Sequence, residues 1–181
     1  MTTRAAELIE ALYRVPGKAE IVDGEIVLMS PTGSRPGRAG LKIAASLSRH
    51  ERRDVNGRAF GDNVGFLVNL PNRQSFCPDA AWYVGSVDTM KFLPHAPAFA
   101  AEVRSEEDYG PAAERAMARK RADYFAAGTT VVWDVDLLSD DVVRVYRASD
   151  LGSPTVYRRG EIAEAEPAVP GWRMSVDELF D

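Results

Sequence analysis

Three places in this chain carry residue types that could do chemistry together. They are Asp79 in the pair Pro78-Asp79, Glu102 closing an apolar run, and Lys120 inside a helical pattern. Two carboxylates brought together on neighbouring strands make a hard-oxygen pocket for Mg²⁺. A lysine beside them can orient a nucleophilic water or steady the charge of a phosphoryl transition state. Asp79 stands near the start of one strand-like run and Glu102 near the end of another, so adjacent antiparallel strands would bring them together. A carboxylate that closes the run Ala98-Phe99-Ala100-Ala101 is costly unless it is paired, exposed or bound to a metal. At helical spacing Lys120 shares its face with Ala113, Ala116, Met117, Tyr124 and Ala127, which reads as a small, inward face. Arg115, Arg119 and Arg121 point elsewhere. A lysine so placed either meets the carboxylate pair or snorkels past the edge of the core with its amine wet. The residues alone leave both readings open.

The elements that must position these residues can be read from pattern. Residues 3 to 13 suggest a short helix with Thr3 as its cap. Glu20 to Met29 reads as a β-hairpin turning at Asp23-Gly24, the dipeptide that accepts positive φ at both positions. Ser30 to Gly37 holds two prolines and two glycines and reads as a loop. A helix should follow from about Arg38 to Asp54, with Ile43, Ala44 and Leu47 at helical spacing. Arg58 to Leu70 is strand-like but interrupted by Gly61 and Gly65, and Pro71-Asn72 turns the chain. Phe76 to Val84 and Ala98 to Val103 read as strands covered on both faces. Pro111 opens a helix that Gly128 ends. Strands are expected over Thr130–Val135, Val142–Tyr146 and Thr155–Arg158. Ser175 and Glu178 have the spacing of a capping box on a short final helix.

Composition sets outer limits. The 181 residues suit one domain, 1 to 181, with a sizeable core and a helical extension over 1 to 18. No apolar run is long enough to span a bilayer, and no signal-peptide pattern opens the chain. Cys77 is the single cysteine and cannot pair internally, so the expectation is a cytoplasmic protein. Two histidines and one cysteine are too few for a structural zinc site. The net charge of −5 is not the footprint of a tight nucleic-acid binder, although Arg49, Arg52, Arg53 and Arg58 form a local basic patch, more simply read as a solvated helix end.

Other residues read as structural. Glu25 could add a ligand but reads better as an exposed hairpin carboxylate. Cys77 reads as a small core residue, and His50 and His95 lack the partners of a catalytic triad. Trp82, Trp133 and Trp172 read as core. No dinucleotide-binding or phosphate-loop pattern occurs.

Taken in order, several short pieces resemble the Uma family of bacterial restriction-endonuclease-like proteins, a branch of the PD-(D/E)xK nuclease superfamily. They are Ile21-Val22-Asp23-Gly24-Glu25-Ile26-Val27 with Met29-Ser30-Pro31, then Pro78-Asp79, then Glu102-Val103-Arg104-Ser105. They continue with Lys120-Arg121-Ala122-Asp123-Tyr124-Phe125-Ala126-Ala127-Gly128, Val132-Trp133-Asp134-Val135-Asp136, Pro170-Gly171-Trp172 and Leu179-Phe180. The resemblance implies an α/β, restriction-endonuclease-like fold: a mixed central sheet flanked by helices, with an added N-terminal β-hairpin. It implies Asp79, Glu102 and Lys120 as catalytic residues. Asp79 and Glu102, with the backbone carbonyl of Val103, would hold Mg²⁺ or Mn²⁺. It implies phosphodiester hydrolysis with DNA as the partner; composition adds the expectation of no membrane, and a homodimer stays open. The superfamily lysine usually lies two residues after the glutamate, where this chain has Arg104; in this branch it comes from the following helix, which matches Lys120. Two departures stand out. No histidine follows the Met-Ser-Pro stretch before His50, and Ser105 leads into the acidic run Glu106-Glu107-Asp108. The acidic run and the acidic total favour a rival of another class, a non-catalytic nucleic-acid-binding or assembly module that keeps the nuclease fold; the retained Asp79, Glu102 and Lys120 favour the enzyme.

Overall fold

The computed structural model describes residues 3–51 and 56–181. Arg52 and Arg53 of the basic patch, and the expected helix end at Asp54, lie outside the described residues. The elements run α1 (Thr3–Leu12), β1 (Ala19–Val22), β2 (Glu25–Leu28), α2 (Ser34–His50), β3 (Arg58–Phe60), β4 (Phe66–Leu67), β5 (Ser75–Phe76), β6 (Ala80–Tyr83) and β7 (Phe99–Val103). They continue with α3 (Pro111–Ala126), β8 (Val131–Val135), β9 (Val143–Arg147), β10 (Asp150–Tyr157), β11 (Ile162–Glu164), β12 (Arg173–Ser175) and a 3₁₀ turn, Val176–Leu179.

The central sheet has the order β10-β9-β8-β7-β6-β3. It is mixed: β7 and β8 are parallel, joined by the crossover helix α3, and the other neighbours are antiparallel. Each strand sends alternate residues to opposite faces. Phe99, Ala101 and Val103 of β7 join Trp82 of β6 and Trp133 of β8 in one core, covered by Ala39, Ile43 and Leu47 of α2. Ala100, Ala81 and Val132 enter a second core on the other face with Tyr124 of α3, Phe66 and Phe76. The result is the helix–sheet–helix layering that buries both faces of β6, β7 and β8. All three tryptophans are core residues, as their contexts suggested.

The N-terminal hairpin forms as expected, with Asp23 at φ +52° and Gly24 at +76°. It docks beside β5: Ile21 N–H donates to Ser75 Oγ at 2.8 Å, and Gln74 N–H donates to the Ile21 carbonyl at 3.0 Å. Ile21 packs on Ile9 and Leu12 of α1. By strand alternation its neighbour Glu20 must turn the other way, into the body of the protein.

Several expected boundaries are corrected. Helix α2 begins at Ser34, not near Arg38, because Pro36 sits in the first turn, where its missing N–H has no intrahelical partner to lose. The strand expected over Phe76–Val84 is two strands, β5 and β6, with Cys77-Pro78-Asp79 between them. Proline offers no N–H to a ladder, and the interruption releases Asp79 from strand geometry. The run Arg58–Leu70 is likewise two short strands, β3 and β4, and β10 starts earlier than expected, at Asp150. The pair β11/β12 was not anticipated. The final helix is a 3₁₀ turn, and its Ser175/Glu178 capping box is present.

Candidate active site

Strands β6 and β7 are antiparallel with Ala80 opposite Ala101, so one further step aligns Asp79 with Glu102. Asp79 N–H donates to the Ala101 carbonyl at 3.1 Å, and Asp79 Oδ2 accepts Val103 N–H at 2.8 Å. The aspartate thereby caps the end of β7, one residue past Glu102. Helix α2 comes close here. A Cβ added at Gly40 would lie 3.3 Å from the Asp79 Cβ, so a residue without a side chain lets the helix reach this depth.

Lys120 meets the carboxylates rather than solvent. Its ammonium lies 2.9 Å from both oxygens of Glu102 and 3.0 Å from Glu20 Oε1. The helical face expected to be its dry stripe is only partly so. Tyr124 is fully buried, but Ala116 is exposed and Ala113 and Met117 are half-buried. That face is a wall of a cleft, which leaves room for a charged residue. The flanking arginines do point elsewhere: Arg119 forms a two-pronged pair with Asp23, and Arg121 stacks on Tyr146 at 3.7 Å.

Glu20 went unnoticed in the sequence and is the best-buried carboxylate of the group. It accepts from Arg73, from Lys120 and from Cys77 N–H at 2.9 Å. Burial alone would raise its pKa, but the charges of Lys120 and Arg73 outweigh that and hold Glu20 below the ordinary carboxylate value. Arg73 in turn pairs with Asp123 at 2.9 Å. The available signal was a glutamate between Ala19 and Ile21-Val22, a charge inside an otherwise apolar strand. Tyr124 donates its hydroxyl to Glu102 Oε1 at 2.6 Å, and Lys18 pairs with Asp79 Oδ1 at 2.8 Å; nothing local in the sequence marks either as part of a site.

The electrostatics follow from this crowding. Burial raises Glu102 most, and Asp79 and Glu20 add to that against the pull of Lys120; the carboxyl stands above its ordinary value. Burial works against the Lys120 ammonium, yet Glu102 and Glu20 keep it firmly protonated. Asp79 and Glu102 keep 19% and 27% of their side chains exposed, whereas Glu20 keeps 2%. The first two can reach a ligand, and Glu20 can only support.

These side chains line one cleft of about 1240 Å³, walled by the hairpin, the start of α2, the end of β7 and one face of α3. Its donor set suits a small, hard cation. Two partly open carboxylates face the cleft, and among the described residues no thiolate or imidazole lines it to favour a softer metal. Among the described residues no three acidic, histidine or cysteine side chains converge into a ready-made cage. Mg²⁺ needs none, because it usually keeps several waters and binds through one or two carboxylates plus a substrate phosphate.

The remaining expected residues take structural places. Arg104 forms two bonds of 2.8 Å to Asp134 on the neighbouring strand and pairs with Glu114, so it clamps β7 to β8 and to the start of α3. Glu25 is exposed. Burial pushes the Cys77 thiol up to about 12. His50 contacts the Pro170 carbonyl, and His95 the Tyr83 hydroxyl. In the acidic run, Asp108 accepts Ser105 N–H at 2.7 Å and closes a turn, while Glu106 and Glu107 are exposed.

Comparison with known proteins gives the family and the fold. A family model, Uma2, described as "Putative restriction endonuclease", matches residues 6–177. A crystal structure described as a putative nuclease belonging to DUF820 from Anabaena variabilis ATCC 29413 superposes with a TM-score of 0.74, covering 95% of this chain and 96% of that one at 15% identity. That likeness establishes a shared fold, the α/β arrangement of a mixed sheet between helices. No curated protein matches.

Proposed function

This chain belongs to the Uma2 family of restriction-endonuclease-like proteins, and from that premise and the chemistry of its cleft we propose that it hydrolyses phosphodiester bonds in DNA with a divalent cation. The observation that carries the reading is the convergence of Lys120 on Glu102, beside Asp79, at the floor of an open cleft. Asp79, Glu102 and the Val103 carbonyl would hold Mg²⁺ or Mn²⁺. When bound, such a cation supplies Lewis-acid polarisation of a phosphate and lowers the pKa of a water.

The chain's own residues do the rest. Lys120 orients the attacking water and offsets charge that develops on the phosphate. Glu20 and Tyr124 hold Lys120 and Glu102 in place, so neither must reorganise during reaction. The hairpin and the face of α3 form the walls between which a nucleic-acid strand lies. A cytoplasmic setting with a nucleic-acid backbone as substrate is part of this proposal; separately, among the described residues no helix is long and apolar enough to cross a membrane.

The test is cleavage of supercoiled plasmid and of short single- and double-stranded DNA and RNA at low salt with Mg²⁺ or Mn²⁺. Wild type should nick or cut DNA weakly, and Asp79→Asn should not. If wild type cuts nothing, or both proteins cut equally, the rival holds: a binding or assembly module on the same fold.

A further inference from the structure

The cleft contains a second lysine that the proposed chemistry does not use. Lys18 Nζ lies 2.8 Å from Asp79 Oδ1 and 2.7 Å from Asp62 Oδ1. Asp79 Oδ2 is already engaged by Val103 N–H, so Lys18 covers the one Asp79 oxygen that no backbone N–H holds. The two lysines of the cleft are not equivalent. Lys120 rises from the middle of α3 and is shared between Glu102 and Glu20, a carboxylate closed to solvent. Lys18 stands before β1, and its second partner, Asp62, is 51% exposed. Asp62 is itself braced, because its Oδ1 also accepts Asn63 N–H at 2.8 Å. The backbone at Lys18 is fixed by the bond from Met29 N–H to the Lys18 carbonyl at 2.9 Å. The four-carbon side chain is therefore the part with freedom to move, and Asp62 is a preformed place for its ammonium to go.

We propose that Lys18 is a displaceable internal counter-ion. It occupies the cation position on Asp79 when no metal is bound, and moves wholly onto Asp62 when a divalent cation takes Asp79 Oδ1. Lys18 and Asp62 together then set how much metal the site requires. The inference rests on the reading of Asp79 as a metal ligand. An ammonium and a dication compete for one oxygen and repel each other at contact distance, so removing the ammonium tightens metal binding. Asp62 works in the opposite sense to Lys18, because it drains positive charge away from Asp79.

The experiment is a Mn²⁺ titration of the full chain, followed by thermal melts and by the electron paramagnetic resonance signal of free Mn²⁺. Neither readout depends on cleavage. Lys18→Met and Lys18→Gln should reach half-saturation at about ten-fold lower Mn²⁺ than wild type. Glutamine keeps a hydrogen-bond donor for Asp79 without the charge, so it guards against a methionine variant that folds poorly. Asp62→Asn, which leaves the ammonium on Asp79, should require several-fold more Mn²⁺, and most of that effect should vanish in the Lys18→Met background. Asp79→Asn should lose the response. If wild type and Asp79→Asn behave as stated but both Lys18 variants need as much Mn²⁺ as wild type or more, the counter-ion is overturned and the metal reading stands. A wild type that binds no Mn²⁺ while Lys18→Met does bind it supports the proposal in its strongest form. No response in any variant overturns the metal reading and this one with it.

Discussion

Lys120 holds two carboxylates at once, and that changes what its removal should do. A lysine that merely faced a metal could be truncated without harm to the fold. Here Lys120→Ala would leave Glu20, which is buried, with Arg73 as its remaining cation. Breaking a buried pair costs about 3–5 kcal/mol when nothing replaces it, and Arg73 should limit the loss to about 2–3 kcal/mol. We expect denaturant melts of Lys120→Ala to show that loss, and cleavage to vanish even well below its melting temperature. Retention of wild-type cleavage would remove Lys120 from the proposed mechanism. Asp79→Asn is the cleaner probe of metal binding. Asparagine still accepts the Val103 N–H and relieves repulsion toward Glu102, so metal-free stability should stay level or rise. Stabilisation by added Mn²⁺ should disappear. A large metal-free loss would mean that the Lys18–Asp79 pair is structural.

At the scale of elements, β6, β7 and α2 meet at Asp79, and β8 and α3 are tied to the same end of β7; two contacts set the tolerance of that meeting. One is Gly40 on α2. A glycine inside a helix costs about 1 kcal/mol against alanine, yet a Cβ there would press on Asp79 at 3.3 Å. Gly40→Ala should therefore leave global stability within about 1 kcal/mol of wild type, while its half-saturation with Mn²⁺ rises. An unchanged Mn²⁺ titration would show that Asp79 has room to shift. The other contact is the Arg104 clamp between β7, β8 and α3. Arg104→Ala leaves the buried Asp134 with only the more distant Arg121, 3.8 Å away, and should cost about 2–4 kcal/mol. Arg104→Lys should recover only part, since an ammonium cannot make the paired bonds to Asp134. The outer partner behaves differently. The hydrogen bond from Arg104 holds Glu114 below its ordinary carboxylate value. A depressed carboxyl contributes stability that is full above its unfolded pKa and is lost as pH falls through the folded one. Glu114→Gln should flatten that acid limb by under about 1 kcal/mol, because the side chain is half exposed.

For the whole molecule, the net charge of −5 means that the proposed nucleic-acid substrate would be met by local groups against an unfavourable overall field. Binding to a nucleic-acid strand should be loose and should fade as salt rises, with a shallow slope that reflects few phosphate contacts. Fluorescence anisotropy across salt concentrations reads this directly, and a steep slope would contradict it. The molecule also shows how far one chain of letters can be read. Local pattern located the hairpin by its Asp23-Gly24 turn, several sheet strands by their apolar runs and α3 by Pro111 and Gly128, because turn, strand and helix signals are local properties of neighbouring residues. Pro78-Asp79, Glu102 and Lys120 stood out because each breaks a local pattern: a proline before a strand, an acid ending an apolar run, a cation on a small-residue face. Glu20, Lys18 and Tyr124 were not legible in that way. Each looks ordinary among its neighbours, and its meaning comes from partners 22 to 100 residues away: Lys120 for Glu20, Asp79 for Lys18 and Glu102 for Tyr124. The split of β5 from β6 and the docking of the hairpin beside β5 bring those partners together. Sequence alone therefore marked candidate groups for chemistry, and the tertiary structure decided which charges hold them, because electrostatic contact is a matter of ångströms in space and not of spacing along the chain.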